Sequence, residues 1–238
     1  AVLSHGNLAQ NATTLVDAWS FTASDHLLHV LPLFHTHGLF VALHCVLASG
    51  SSMTLLDAFD VHVVLDELPR TTVLMAVPTH YSRLLERKEF GSPLVDTVRL
   101  FTSGSAPMPL ALHNRFRERV GSVVLERYGM TETSMLTSNP LVGERKPGTV
   151  GRPLPGVGVR VVDDQDTKAV DGTVGHVQVT GPNVFNGYWR RPDATAETLR
   201  NGWLHTGDLG RIGADGTLWL LDRTKDMIIS GGSNVYAV

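Results

Sequence analysis

Cysteine is almost absent from this 238-residue sequence, in which Cys45 is the single one. One thiol cannot form an internal disulfide, and this scarcity favours a reducing compartment. Cys45 lies within an apolar run, so we interpret it as a core residue rather than a nucleophile. No signal peptide is recognisable, and the expected localisation is therefore cytoplasmic.

A long uninterrupted apolar run is also missing. The most apolar stretch, residues 27–48, is broken by Pro32, Gly38 and four histidines. A membrane-spanning helix needs about 20 predominantly apolar residues. The sequence therefore predicts no membrane span.

Positive charge is not in excess. Lysine and arginine total 20 against 23 aspartates and glutamates, so the formal net charge is −3. Nucleic-acid-binding domains normally carry a basic surface, so we expect no nucleic-acid partner. The apolar fraction of 42% is ordinary for a globular protein with a hydrophobic core.

Short apolar runs alternate with helical patterns over residues 1–146. A first helix is predicted over residues 8–19, where apolar residues recur at helical spacing and Asn7 is a suitable N-cap. The predicted strands are 27–33, 52–56, 72–77, 98–102 and 123–127. The other predicted helices are 38–48, 61–68, 78–88 and 107–119. This alternation predicts an α/β subdomain with a mostly parallel sheet and flanking helices.

The pattern changes after residue 146, where glycine and proline become frequent. Short alternating runs follow at 157–162, 174–179 and 217–221, separated by turn-forming residues. We expect residues 147–221 to form a smaller, β-rich subdomain that resembles an open barrel.

Four unusual stretches follow four of the predicted parallel strands. In open parallel sheets, ligands bind beyond the carboxyl ends of the strands. We therefore expect these stretches to share one edge of the sheet. They are FHTHG at 34–38, PTHY at 78–81, SGSAP at 103–107 and YGMTE at 128–132.

The stretch ERYGMTET, residues 126–133, contains a hydroxyl and a carboxylate suited to a nucleotide with magnesium. Thr131 can donate a hydrogen bond to a phosphate oxygen, and Glu132 offers the hard oxygen ligand that Mg²⁺ prefers. Gly104 and Gly129 would let the backbone approach a base or a phosphate. The alternative is that the Thr-Glu-Thr segment caps a following helix.

Two other candidate positions have open interpretations. His35 and His37 could ligate a metal, but no partner ligands lie at a recognisable spacing. A histidine here could instead hydrogen-bond a carboxylate substrate, or it could be a buried structural residue. Asp208 is predicted to follow a tight turn, where it could accept hydrogen bonds from a ribose diol or simply stabilise the turn.

Seven stretches in a fixed order carry a resemblance that covers nearly the whole chain. They are LPLFHTHGL (31–39), TSGSAPM (102–108), ERYGMTET (126–133), GTVGRPLPG (148–156), GHVQVTGPNVFNGYW (175–189), GWLHTGDLG (202–210) and LDRTKDMIISGGSNVY (221–236). Together they resemble the adenylate-forming superfamily of acyl-CoA synthetases, luciferases and peptide-synthetase adenylation domains. The resemblance implies an enzyme that uses ATP, Mg²⁺, a carboxylic acid and coenzyme A.

The resemblance also implies roles for individual residues. Thr131 would contact the α-phosphate, Glu132 would bind Mg²⁺, and His35 would lie beside the carboxylate that is activated. Asp208 and Arg223 would bind the ribose hydroxyls. Ser105, Ala106 and Pro107 would pack against adenine and form what we call the adenine wall. The other residues expected near the base are Glu126, Arg127, Tyr128 and Gly129.

Within the superfamily, residues 29–43, 126–140 and 181–189 are most similar to malonyl-CoA synthetases. The resemblance implies that Thr36 and Met130 line the acid pocket.

A malonate substrate would bring a second carboxylate into the site. A guanidinium is its natural partner because it binds a carboxylate through two parallel hydrogen bonds. Arg83 is our candidate for this role. The alternative is that Arg83 is a solvated helix residue. Nearby Arg87 would then be an equally good partner for the second carboxylate.

The family's phosphate loop and C-terminal lid match no stretch of this sequence. We therefore expect a central piece of the large domain that is inactive alone. Residues 222–238 would form the hinge and the start of the lid, with Lys225 at the hinge and Gly231 and Gly232 lining the coenzyme A tunnel. The alternatives are a synthetase for another short or medium acid, and a non-catalytic nucleotide-binding remnant.

Overall fold

The computed structural model describes residues 1–223, 228–230 and 233–235, with side chains described over residues 1–222. The side chain of Arg223, together with Lys225, Gly231 and Gly232, lies outside the described part, so the roles expected of these residues stay predictions. Across the described ranges, no helix has the length and apolar character needed to cross a membrane.

A seven-stranded sheet forms the centre of the first part of the chain. Its strands are β1 His26–His29, β2 Ser52–Leu55, β3 Val73–Ala76, β4 Leu100–Ser103, β5 Leu125–Met130, β6 Ser134–Ser138 and β7 Arg152–Pro153. They lie in the order β2-β1-β3-β4-β5-β6-β7. The first five are parallel to one another, and β6 and β7 are antiparallel. The predicted mostly parallel sheet is confirmed. The division at residue 146 stays a prediction, since β7 extends the first sheet past it.

Helices pack on both faces of this sheet. They are α1 His5–Ala18, α2 Leu43–Ser49, α3 Val61–Glu67, α4 Pro78–Leu85 and α5 Leu110–Val120. A π-helical turn, His37–Ala42, leads directly into α2. The N-cap of α1 is Ser4, whose side chain accepts from the backbone N–H of Asn7. Asn7 was predicted as the cap, but it lies at the third helical position and completes a capping box with Ser4.

The alternation of side chains along the strands divides the core into two layers. Leu27 and Met75 point to the face covered by α1 and α2, together with Cys45. Leu28 and Leu74 point to the face covered by α3, α4 and α5. Successive strand residues face opposite sides, so a parallel sheet with helices on both faces needs apolar residues at nearly every position. Cys45 is fully buried, as its apolar surroundings predict.

A second, antiparallel sheet follows. Its strands are β8 Gly158–Val162, β9 Gly175–Thr180, β10 Leu199–Arg200, β11 Trp203–Ile212 and β12 Leu218–Arg223, and α6 Pro192–Thr198 precedes β10. The strand order is β10-β11-β9-β8, and β12 pairs with β11 on the edge opposite β9, beyond β10. Strands β13 Ile228–Ser230 and β14 Ser233–Val235 form a separate antiparallel pair. The predicted β-rich part is confirmed as an open antiparallel sheet.

A third hydrophobic cluster joins the two sheets. It includes Tyr128 and Leu136 from the first sheet and Val177, Val179 and Leu204 from the second. This packing holds the carboxyl end of β5 against the second sheet, which brings residues distant in sequence to one place.

Candidate active site

The four stretches predicted to share one edge of the sheet do so. Strands β1, β3, β4 and β5 are adjacent and parallel, so their carboxyl ends lie together. Side chains from the loops that follow them meet across the edge. Ser105 Oγ lies 3.4 Å from His37 Nδ1, and Thr36 Oγ1 lies 3.5 Å from Thr131 Oγ1. This edge is the candidate active site.

A buried cation lies at this edge. Arg127, on β5, is 4% exposed, and its Nη2 donates a hydrogen bond to Nε2 of His37, which is 3% exposed. Burial lowers the pKa of Arg127 to about 10, so the guanidinium stays charged near neutral pH. Burial, and then the charge of Arg127, hold the pKa of His37 well below its usual value.

These bonds determine the tautomer of His37. Because Nε2 accepts from Arg127, the imidazole is neutral and carries its proton on Nδ1. Nδ1 is then the donor to Ser105 Oγ, 3.4 Å away. Sequence reasoning singled out His35, whose side chain is exposed, and placed Arg127 near the base. The pairing of His37 with Arg127 was missed because 90 residues separate them.

The two glycines expected to admit a nucleotide each lie against other atoms of the protein. A Cβ on Gly104 would overlap the guanidinium of Arg127, and a Cβ on Gly129 would overlap the carbonyl of Ser134. Both glycines are therefore required by packing within the chain. The approach of a nucleotide to their backbone stays a prediction.

Glu126 supports the candidate adenine wall from inside the protein. Its carboxylate accepts from His113 Nε2 at 2.7 Å, from the backbone N–H of Gly148 at 2.9 Å and from that of Met108 at 3.3 Å. The side chain is buried. Glu126 therefore links α5 and the Gly148 loop to the segment that follows Pro107.

The candidate adenine wall itself is open to solvent. Ser105, Ala106 and Pro107 are all exposed, directly after the buried strand β4. Ser105 has a positive φ of 65°. A non-glycine residue in this left-handed region is uncommon, and such residues concentrate at turns and functional sites.

The turn after β5 presents Thr131 and Glu132. Thr131 is exposed and Glu132 is half-buried. Tyr188 donates a hydrogen bond from its hydroxyl to Oε1 of Glu132 at 2.8 Å. Burial, and then Glu132, raise the pKa of Tyr188. Tyr188 lies in the NGYW segment that carried the resemblance, but sequence reasoning gave it no role.

The alternative interpretation of the Thr-Glu-Thr segment, a helix cap, is wrong. The segment connects β5 to β6 in a tight antiparallel turn, and Met130 pairs with Ser134. Met130 is half-buried and packs against the cluster between the two sheets.

Asp208 lies within β11 rather than after a tight turn. The pairing of β11 with β9 is irregular between His205 and Leu209, and this irregularity contains Asp208. The hydroxyl of Tyr128 donates a hydrogen bond to Oδ2 of Asp208. Arg223 is the direct partner of Asp208 on β12. The two residues expected to bind ribose are therefore adjacent across one strand pair.

Among the residues expected at the acid end, His35 and Thr36 follow β1 at this edge, and Arg83 lies in the last turn of α4. His35 is exposed and Thr36 is half-buried. Arg83, on α4, is exposed, and its Cζ lies 4.9 Å from the centre of the Phe59 ring. Phe59 stacks on His80 with ring centres 4.0 Å apart. Burial, and then Arg83, lower the pKa of His80 to about 4.

Comparison with known proteins identifies the family of this site. Residues 1–189 match the family model described as AMP-binding enzyme. The mitochondrial malonate–CoA ligase ACSF3 of Mus musculus is 39% identical over 100% of this chain and 47% of its own length. The indoleacetate–CoA ligase of Aromatoleum aromaticum is 36% identical over 99% of the chain and 47% of its own length.

Solved structures agree with these relatives. The ATP-bound structure of MatB from Rhodopseudomonas palustris superimposes with a TM-score of 0.97 at 50% identity, over 98% of this chain and 47% of that one. The chain thus spans about half the length of the relatives it matches. The fold matches the large domain of the adenylate-forming enzymes, as the motifs indicated. This chain belongs to the AMP-binding enzyme family.

Proposed function

We propose that the protein containing this chain is an AMP-forming acyl-CoA synthetase that activates a small dicarboxylic acid, with malonate favoured. The observation that supports the choice of acid is the buried guanidinium of Arg127. Among the described residues, Arg127 forms no ion pair with a carboxylate, and its Nε has no hydrogen-bond partner.

A buried charge without a counterion is costly. A carboxylate from the substrate would supply the missing charge and would accept hydrogen bonds from the guanidinium of Arg127. The carboxylate that is activated loses its charge when it bonds to phosphorus. A lasting partner for Arg127 is therefore the second carboxylate of a diacid.

Arg83, in the last turn of α4, offers a second guanidinium. It is exposed and lies over Phe59, which stacks on His80. We propose that Arg83 and Arg127 both face the non-reacting carboxylate, with Thr36 and Met130 lining the pocket. Arg87, the alternative, lies past the end of α4, with its carbonyl accepting from Arg119.

The nucleotide would occupy the rest of the edge. Ser105, Ala106 and Pro107 would face adenine, and Asp208 and Arg223 would accept and donate hydrogen bonds at the ribose. The side chain of Glu132 fits a divalent cation, because one oxygen is held by Tyr188 and the other makes no hydrogen bond within the described residues. Magnesium bound there would neutralise phosphate charge during adenylyl transfer.

The reaction would proceed in two steps. A carboxylate oxygen of the acid attacks the α-phosphorus of ATP, and pyrophosphate leaves. The thiol of coenzyme A then attacks the acyl carbon, forming the thioester and releasing AMP. Thr131 would donate to an α-phosphate oxygen, and His35 would lie beside the carboxylate being activated. Lys225, Gly231 and Gly232 would serve as hinge and coenzyme A tunnel.

A different acid is the second candidate, because a relative at 36% identity is an indoleacetate–CoA ligase. The buried charge of Arg127 argues against this candidate, since indoleacetate has no second carboxylate to pair with that charge.

The predicted compartment is the cytoplasm, and this stays a prediction, because the mouse relative is named mitochondrial.

The test is pyrophosphate release by the protein in its natural full length. Malonate, methylmalonate, acetate and a medium-chain acid would be compared at equal ATP, Mg²⁺ and coenzyme A. We expect kcat/KM for malonate to exceed that for acetate by about 100-fold, since pairing a buried charge is worth several kcal/mol. A preference for acetate or a medium-chain acid would contradict the choice of substrate. ATP binding without pyrophosphate release would contradict the enzyme assignment.

A further inference from the structure

The turn that carries Glu132 is held by a loop of the second sheet, residues 181–188. The backbone N–H of Phe185 donates to the carbonyl of Glu132 at 2.8 Å. Asn183 Nδ2 donates to the carbonyl of Thr133 at 2.9 Å. Both contacts bind the backbone of the turn, and they bring the end of the loop to the Glu132 side chain.

Tyr188, at the end of this loop, makes the contact with the carboxylate itself. Its hydroxyl donates to Oε1 of Glu132 at 2.8 Å. Its ring packs edge-on against Phe185 with centres 4.8 Å apart. Its backbone N–H donates to Thr195 Oγ1 at 2.9 Å. The phenol is thus fixed by its ring and by its backbone, so its hydroxyl is held in one direction.

We propose that Tyr188 is a positioning residue for Glu132: it holds Oε1 and so leaves Oε2 directed to a nucleotide-bound divalent cation. The inference rests on the proposed function, which makes Glu132 the metal ligand. Carboxylates that bind metals are commonly oriented by a hydrogen bond from a neighbouring group, and loss of that group typically costs about 10–100-fold in metal affinity. A free carboxylate on a turn would have to lose rotational freedom before binding the cation.

The variant that tests this proposal is Tyr188→Phe, which removes one oxygen atom and keeps the ring against Phe185. Binding of Mn²⁺ in the presence of ATP would be measured by electron paramagnetic resonance on the natural full-length protein. The Mg²⁺ concentration for half-maximal pyrophosphate release would be measured beside it. We expect the dissociation constant for Mn²⁺ and the half-maximal Mg²⁺ concentration both to rise about tenfold. Tyr81→Phe is the matched control, because the Tyr81 hydroxyl donates to the carbonyl of Thr102 at 2.7 Å within the core.

A double-mutant cycle with Glu132→Gln separates positioning from general structural support. If Tyr188 acts through Glu132, adding Tyr188→Phe to Glu132→Gln produces no further loss of Mn²⁺ affinity. Independent, additive losses would overturn the proposal, as would an unchanged Mn²⁺ affinity in Tyr188→Phe. If the unmodified protein releases no pyrophosphate with any acid, the proposed function fails first, and that result is distinct from either of these.

Discussion

The guanidinium of Arg127 and the imidazole of His37 form a buried hydrogen bond at the carboxyl edge of the parallel sheet, with Arg127 as the donor. Both pKa values are lowered by burial, so a charged guanidinium faces a neutral imidazole. Neither residue supplies the negative charge that a buried cation requires. The pair therefore points to an anionic ligand.

Arg127→Met should abolish the preference for a dicarboxylic acid without destabilising the ligand-free protein. Replacing even a buried ion pair by apolar side chains of similar volume is often neutral or stabilising by about 1–4 kcal/mol, and an unpaired buried charge is costlier than a paired one. We expect kcat/KM for malonate to fall by at least about 100-fold, because a hydrogen-bonded charge pair is lost. Malonate kinetics and thermal unfolding without ligand are the two measurements. A large drop in melting temperature would show that Arg127 serves the fold instead.

Arg83→Ala should weaken the use of malonate far more than the use of acetate. The reason is that only malonate presents a second carboxylate to the guanidinium. Arg87→Ala, four residues further along the chain, is the matched control and should leave both acids unaffected. The measurement is the ratio of kcat/KM values for malonate and acetate. Equal losses for both acids in Arg83→Ala would contradict the assignment.

Gly104→Ala should disturb Arg127 through a single added methyl group. A Cβ at this position would overlap the guanidinium of Arg127, which is 4% exposed and so has little room to move. We expect a loss of about 1–3 kcal/mol of stability from overpacking, together with reduced use of malonate. Gly6→Ala in α1 is the control, because its Cβ would meet only Ser4 Oγ at 3.5 Å. That control should stabilise the protein by up to about 1 kcal/mol, which chemical denaturation would detect.

A partly buried ion pair makes the fold sensitive to acid. Asp25 accepts from Arg99 Nε at 2.8 Å and Nη2 at 2.7 Å, and also from Thr72 Oγ1 at 2.7 Å. Burial alone would raise the pKa of Asp25, but these hydrogen bonds outweigh it and lower the pKa from 3.8 to about 2. The shift is worth about 2 kcal/mol of stability above pH 4, and that contribution is lost as the pH falls from about 4 to about 2.

The variant Asp25→Asn tests this loss of stability between about pH 4 and about pH 2. The neutral amide cannot titrate, so the difference in unfolding free energy between the natural protein and the variant should shrink as the pH drops from 5 to 2. Urea denaturation at several pH values measures that difference. A gap that stays constant over this range would show that the Asp25 pKa is not lowered in the folded state.

Much of the α/β architecture could be predicted because its signals are local. The runs around Leu27, Val73 and Leu100 are apolar at successive positions, which is typical of strands covered on both faces. Strand β6 was missed because Thr131 to Thr133 also suits a helix cap. The choice of strand was made by pairing with β5 and by the packing of Leu136 between the two sheets. No local pattern contains that information.

The candidate site likewise combines residues that local motifs predict with partners that only the packing of the two sheets decides. Ordered motifs were enough to identify the family and to bring Thr131, Glu132 and Asp208 forward as candidates. The partners of these side chains come from remote segments: Tyr188 for Glu132 and Tyr128 for Asp208. Those pairings depend on how the second sheet packs on the first.

Residue types and their spacing thus determined the strands of the parallel sheet, most of the helices and the chemistry available at one edge of the sheet. Only the tertiary structure decided which of those groups are buried and what they face. It placed Arg127 against His37 and left His35 exposed. It also gave the carboxylate of Glu126 three hydrogen-bond donors from within the protein. The physical reason is that burial and hydrogen-bond partnership arise from contacts between segments far apart in the chain, whereas periodicity and propensity are properties of neighbouring residues.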